Sequence, residues 1–162
     1  MTVYSPHEIE KEVQAYWKKE GVVEKIVKLD PKRKKFYLLD GPPYVNGIPH
    51  VGHIKTTVFK DVWGKFKQMQ GFSVWWQPGF DCGGLPIENA VEKKLGIEGK
   101  SDIIDKIGAE KFIAECKALA KGNEPVWLDL YKKMAAWRGW VEPYLTSDNS
   151  YKESGWWTIK NM

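Results

Sequence analysis

Two histidines three residues apart, His50 and His53, close a run rich in chain-breaking residues: Gly41-Pro42-Pro43-Tyr44-Val45-Asn46-Gly47-Ile48-Pro49-His50-Val51-Gly52-His53. At i, i+3 on the first turn of a helix, the two rings share one face. An imidazole N–H donates to a phosphate oxygen. The first turn adds unpaired main-chain N–H groups and about half a unit of positive charge. Gly52, lying between them, lets a flat base or a phosphate approach the backbone with no Cβ in the way. Such a site holds and polarises an anion, and neither imidazole is placed as a nucleophile. A pair of surface histidines is the plainer alternative. Zinc is a third, but His7, Cys82 and Cys116 stand at no ligand spacing, so no structural metal is expected.

The neighbouring elements bear on this choice. Phe36-Tyr37-Leu38-Leu39-Asp40 is a short apolar run stopped by Gly41-Pro42-Pro43, the pattern of a buried strand. The loop to Pro49 holds too many breakers for a regular element. A helical pattern then runs from His50 to about Gln70, with Val58, Val62, Phe66 and Met69 on one stripe and Gly71 as its stop. Phe72-Ser73-Val74-Trp75-Trp76 reads as a second strand, ended by Gln77-Pro78-Gly79. Strand, helix and strand over 35–82 make a βαβ unit, for which right-handed parallel pairing is the rule. The histidines then sit beyond the carboxyl end of a parallel strand, where open α/β sheets bind ligands.

Around this unit the pattern is helical. Ser5-Pro6-His7-Glu8 is a capping-box sequence opening a helix over 5–20, with Ile9, Val13 and Trp17 on one face and Gly21 at its end. A basic turn, Asp30 to Lys35, leads into the first strand. A helical extension over 86–162 divides into helices at Pro86–Leu95, Asp102–Lys121 and Glu124–Trp137, a loop at Gly139–Asn149, and a last helix at Tyr151–Lys160. Neither a repeat nor a long linker divides the chain, which predicts one α/β domain over 1–162. Two strands are too few for a sheet to stand alone, which implies strands the pattern does not reveal or chain that is missing.

Composition narrows the class. The chain has 162 residues, a formal charge of +4, 43% hydrophobic residues, two Cys and nine Trp. It is too apolar and aromatic for disorder, and two cysteines make no disulfide framework. No apolar run nears the roughly 20 residues of a membrane span, and Met1-Thr2-Val3-Tyr4 opens directly into a polar pattern. A soluble cytoplasmic protein is expected. Most tryptophans fall in periodic apolar segments and are expected in the core.

The run from Gly41 to His53 resembles the first signature of class I aminoacyl-tRNA synthetases of the isoleucyl type, GPPYANGxxHxGH. Gly71-Phe72 through Pro78-Gly79-Phe80-Asp81-Cys82-Gly83-Gly84-Leu85-Pro86-Ile87-Glu88 is similar to that family's GYDVxxxPGWDCHGLPIE. Val91 to Gly96, Trp140 to Thr146, Tyr151 and Trp156-Trp157 follow in the family's order, so the resemblance spans nearly the whole chain. Valyl enzymes favour PPPNVTG, a poorer match.

The resemblance implies a HUP-type Rossmann-like nucleotide-binding half, a short parallel sheet flanked by helices with a helical C-terminal part. It implies that Gly41, Asn46, His50, Gly52 and His53 bind ATP, with His50 and His53 as the catalytic pair. It implies that Pro43 and Tyr44, with Asn46, line the amino-acid and adenylate pocket, and that Asp81 receives the ammonium group of the amino acid. A turn-forming aspartate is the alternative for Asp81. Glu88 would support the site. Gly83 departs from the family by standing where it has His. After Met162 the family continues into an editing domain, a second nucleotide-binding half with a KMSKS loop, and an anticodon-binding region.

The implied function is binding of ATP, as its Mg²⁺ complex, and of an aliphatic amino acid, isoleucine favoured, for aminoacyl-adenylate formation in tRNA aminoacylation. Activity by this chain alone is expected to be weak or absent. Trp75, Trp76, Trp156 and Trp157 lie in elements that would pack against the second half, so apolar surface is expected to stay uncovered and a homo-oligomer or a complementary synthetase chain is expected as partner, with tRNA as the further substrate. The alternative is a non-catalytic relative that binds RNA or protein. A small adenylyltransferase with the same HxGH signature fits the Asp81 to Glu88 block less well.

Overall fold

The computed structural model describes residues 4–162, so Met1 to Val3, including the expected start of the chain, lie outside it. Helix α1 spans Pro6–Glu20, with Pro6 supplying the fixed φ of a first helical position. Gly21 ends it at φ 58°, its N–H donating to Trp17 O. The expected capping box does not form, because the Ser5 side chain makes no cap hydrogen bond. A short helix α2, Val22–Val27, follows and buries Val23.

The expected βαβ unit is present. Strand β1 is Lys35–Tyr37, helix α3 is Val51–Met69 and strand β2 is Ser73–Trp75. The strands are parallel, with Phe36 opposite Val74, and Leu38 N–H extends the ladder to Trp75 O at 3.0 Å. The expectation that β1 is buried is wrong: Tyr37 is 58% and Leu39 81% exposed. The α3 stripe Val58, Val62, Phe66 and Met69 also faces outward. The physical reason is that β1 has one partner strand, so the remaining edge and the helix face beside it meet no protein.

A second parallel pair joins β3, Gly79–Phe80, to β4, Tyr144–Leu145. Beside it a single bridge ties Tyr44 to Asp81. The sequence pattern puts a loop at Gly139–Asn149, where the structure has β4 preceded by a 3₁₀ turn, Trp137–Trp140. A two-residue strand carries no periodicity to detect. Gly79 is obligatory here: a Cβ on it would lie 2.1 Å from the Tyr144 ring.

Helix α4 spans Leu85–Leu95 and ends at Gly96 in the left-handed region. A helical turn α5, Lys100–Asp102, runs into a π-helical turn, Ile103–Ile107. Helix α6 then runs unbroken over Ala109–Lys133, through Pro125. The sequence pattern divides this stretch into two helices with breaks elsewhere. Pro125 removes one internal hydrogen bond, yet Phe112, Ala120, Trp127 and Tyr131 keep one helical face buried across it, and that burial outweighs the loss. Helix α7, Asn149–Lys160, completes the chain and buries nothing.

The core lies between α6, α4 and the β3 layer, with Val45, Phe80, Ile87, Trp127 and Tyr131 at its centre. Val91, Ile103 and Phe112 form a smaller cluster beside it. Of the nine tryptophans only Trp76 and Trp127 are buried, so the expectation that most lie in the core fails. Trp63 is exposed, and so are Trp75, Trp156 and Trp157, three of the four expected to be left uncovered; Trp76 is the exception. Among the described residues no helix is long and apolar enough to cross a membrane.

Candidate functional site

The loop between β1 and α3 is held from both sides. Val45 N–H donates to Asp81 O at 3.2 Å and Asp81 N–H to Pro43 O at 2.8 Å. From α6, Asn123 Nδ2 donates to Val45 O at 2.7 Å and Trp127 Nε1 to Gly47 O at 2.9 Å. A segment too rich in breakers for its own ladder thus borrows partners from Asp81, just beyond β3, and from α6.

His50 is the N-cap of α3. Its Nδ1 accepts the N–H of Gly52 at 3.1 Å, and Nδ1 of His53 accepts the N–H of His50 at 3.2 Å. The rings lie 3.8 Å apart, and His53 meets Trp127 edge-on at 4.7 Å. Because both Nδ1 atoms accept, each neutral ring carries its proton on Nε2 and keeps that N–H as a free donor. Partial burial, and then the neighbouring His50, hold His53 below the ordinary histidine value, which favours this neutral form. Gly52 also serves the pair itself. A Cβ there would lie 2.9 Å from His50 Cε1, so glycine lets the His50 ring fold back over the helix start.

A cavity of 590 Å³ opens at this end of α3. It brings together Gly41, Pro43, Tyr44, Asn46, His50 and His53 of the expected residues. Gly52 and Asp81 do not line it. Asp81 is bridged to Tyr44 through the main chain, but its Oδ1 accepts from Gly83 N–H and from Thr146 Oγ1, both at 3.2 Å. Glu88 pairs with Lys100 at 3.3 Å and lines a different cavity, with Gly83, Cys82 and Cys116. A Cβ on Gly83 would have no heavy atom within 4 Å, so a side chain there would meet open space. Burial pushes both cysteine thiols up, leaving them protonated.

Several cavity residues lie outside the sequence motifs. Thr56, Thr57 and Lys60 line it from α3, and Tyr131 and Arg138 from α6 and the 3₁₀ turn. Asp40, at the end of the β1 segment, accepts from Arg138 Nη1 at 2.6 Å and from Lys60 Nζ. The Arg138 guanidinium lies 4.6 Å from the Tyr131 ring centre and 5.0 Å from that of Trp76. The i+3, i+4 and i+7 spacing from His53 would have found the α3 residues. No local pattern marks Arg138, which is 98 positions from its partner.

The family profile of tRNA synthetases class I (I, L, M and V) matches residues 12–162. The isoleucine–tRNA ligase of Pyrococcus horikoshii is 43% identical over 157 residues, which is 97% of this chain and 15% of that protein. The isoleucine–tRNA ligase of Clostridium tetani is 43% identical over 155 residues, 96% of this chain and again 15% of that protein. The chain therefore spans about 15% of the length of these curated relatives. The crystal structure of a ternary complex of Agrobacterium radiobacter K84 agnB2 LeuRS with tRNA and LeuAMS superposes with a TM-score of 0.64 at 24% identity, over 85% of this chain and 16% of that one, and bears on the fold alone. With its parallel strands, its helix-flanked cavity and a match over nearly all its residues, the chain belongs to the class I tRNA synthetases of the isoleucine, leucine, methionine and valine group.

Proposed function

We propose that this chain binds ATP, as its Mg²⁺ complex, and an aliphatic amino acid, isoleucine favoured, for aminoacyl-adenylate formation in tRNA aminoacylation. The observation that carries this is the pair of imidazoles at the N-terminus of α3, both lining the cavity and each with Nδ1 occupied by a main-chain N–H, which leaves Nε2 as the donor. Imidazole donors of that kind, set at a helix start, suit phosphate oxygens.

In the reaction, a carboxylate oxygen of the amino acid attacks the α-phosphorus of ATP. The bond to the β-phosphate oxygen breaks, and pyrophosphate leaves with the electron pair. A tRNA hydroxyl then attacks the acyl carbon of the adenylate, its proton is lost, the acyl–phosphate bond breaks, and AMP leaves. The chain contributes position and charge stabilisation rather than a covalent intermediate. His50 and His53 donate to the phosphates, Gly41 and Asn46 border the nucleotide, and Pro43 and Tyr44 wall the amino-acid end. Asp81 receives the ammonium group once its carboxylate turns from Thr146.

The exposed apolar residues of α3, with Trp63 at 56% exposure, favour association with a second chain, either another copy or a complementary synthetase segment. Titration calorimetry with ATP on the chain and on His50→Ala/His53→Ala tests the site. Binding that is lost in the double variant while circular dichroism is unchanged supports it, and equal binding by both refutes it. Isoleucine-dependent ATP–pyrophosphate exchange, with and without a complementary segment, tests the chemistry.

A further inference from the structure

The polar stripe of α3 continues beyond His53. Thr56, Thr57 and Lys60 follow at three, four and seven residues, so they share its helical face and line the same cavity. Lys60 reaches Asp40, whose carboxylate is also held by Arg138; the Asp40 side chain is 5% exposed and that of Arg138 2%. Among the lining residues Asp40 is the one carboxylate. Two cations around one buried carboxylate leave the cavity wall with a surplus positive charge.

The two cations are not equivalent. Arg138 is fixed between the Tyr131 and Trp76 rings, and its Nε and Nη2 are buried without a hydrogen-bond partner. A buried guanidinium with two of its three nitrogens unpaired costs stability, so its place needs a reason. Its one polar contact in the site is Asp40. Lys60 is more exposed, with its side chain 36% accessible, and its ammonium can turn from Asp40 to a ligand.

We propose that Lys60 holds the terminal phosphates of the bound nucleotide, and that Arg138 is the positioning residue that takes up the charge of Asp40 and so leaves that of Lys60 free. This rests on the nucleotide site proposed above and adds to it a second anchor, two helical turns along α3 from His53. Arg138 touches no ligand and acts through Asp40.

The test is calorimetry with inorganic tripolyphosphate, ATP and adenosine on the full chain and on Lys60→Met, Arg138→Met and Asp40→Asn/Arg138→Met. Lys60→Met should weaken tripolyphosphate and ATP about tenfold, the size of one charge-assisted hydrogen bond, and leave adenosine unchanged. Arg138→Met should show a comparable loss, because Asp40 then neutralises Lys60. The double variant should recover to within about twofold of the parent, since removing the carboxylate restores the surplus charge. A merely structural Arg138 would leave the double variant as weak as the single one, and that result overturns its role. Tripolyphosphate that binds the parent and Lys60→Met equally, or does not bind at all, overturns the role of Lys60. Lys60-dependent tripolyphosphate binding without ATP binding would support the anion site and refute the nucleotide assignment instead.

Discussion

Trp127 joins the two halves of the candidate site: its Nε1–H holds Gly47 O at 2.9 Å while its ring edge meets His53 at 4.7 Å. One buried side chain on α6 therefore sets both the end of the loop and the inner wall behind the histidine pair. Neither contact can shift without the other, because Trp127 is 1% exposed and packed on Phe80 and Tyr131.

Trp127→Phe keeps most of the ring and loses the hydrogen bond, leaving Gly47 O unpaired. Chemical denaturation should show a loss of about 1–3 kcal/mol. Trp127→Ala should cost about 3–5 kcal/mol through the cavity it opens. ATP affinity should fall in the Phe variant even at temperatures where it is fully folded. Unchanged affinity would mean the loop does not depend on this contact.

Gly52→Ala should act on the site more than on the fold. The added methyl would sit 2.9 Å from His50 Cε1, while the helix itself accepts alanine readily. The His50 ring must rotate away, giving up the Gly52 N–H. Nucleotide affinity should drop several-fold with an unfolding midpoint close to the parent's. Gly79→Ala gives the contrast, because its methyl would meet the Tyr144 ring between β3 and β4. That variant should be severely destabilised.

Acid should weaken the fold through His53. Its folded value is lowered, first by partial burial and then by the neighbouring His50, so the unfolded chain takes up the proton more readily. Where the unfolded state binds more protons, stability rises with pH. The contribution of His53 is therefore intact above its ordinary value near 6.5 and is lost as pH falls through that value towards the folded one. Urea melts between about pH 5 and 8 should show this slope, and His53→Gln should flatten it. Proton NMR titration should give His53 a lower midpoint than free imidazole side chains.

Asp81→Asn separates a structural from a binding role. Oδ1 accepts from Gly83 N–H and Thr146 Oγ1, and an asparagine oxygen can accept both. Stability should change by less than about 1 kcal/mol. Amino-acid-dependent pyrophosphate exchange should be lost if the carboxylate receives an ammonium group. Retained exchange would leave Asp81 as a turn residue only.

Much of this was legible from short-range pattern. Breakers at Gly41 to Pro49 end one strand and free the start of α3, and Gly21, Gly71 and Gly96 stop helices where expected. The motif from Gly41 to His53 and the block around Asp81 also marked the family, because the residues of one loop are close in sequence. The continuity of α6 through Pro125, the pairing of β3 with β4 and the outward face of α3 were not legible. Each depends on what the rest of the chain packs against it, and periodicity reports an apolar face without saying what covers it. The Asp40–Arg138 pair shows the same limit at the site itself. A charged residue is polar wherever it stands in a sequence, and only the folded chain brings a guanidinium across 98 positions to bury it against a carboxylate.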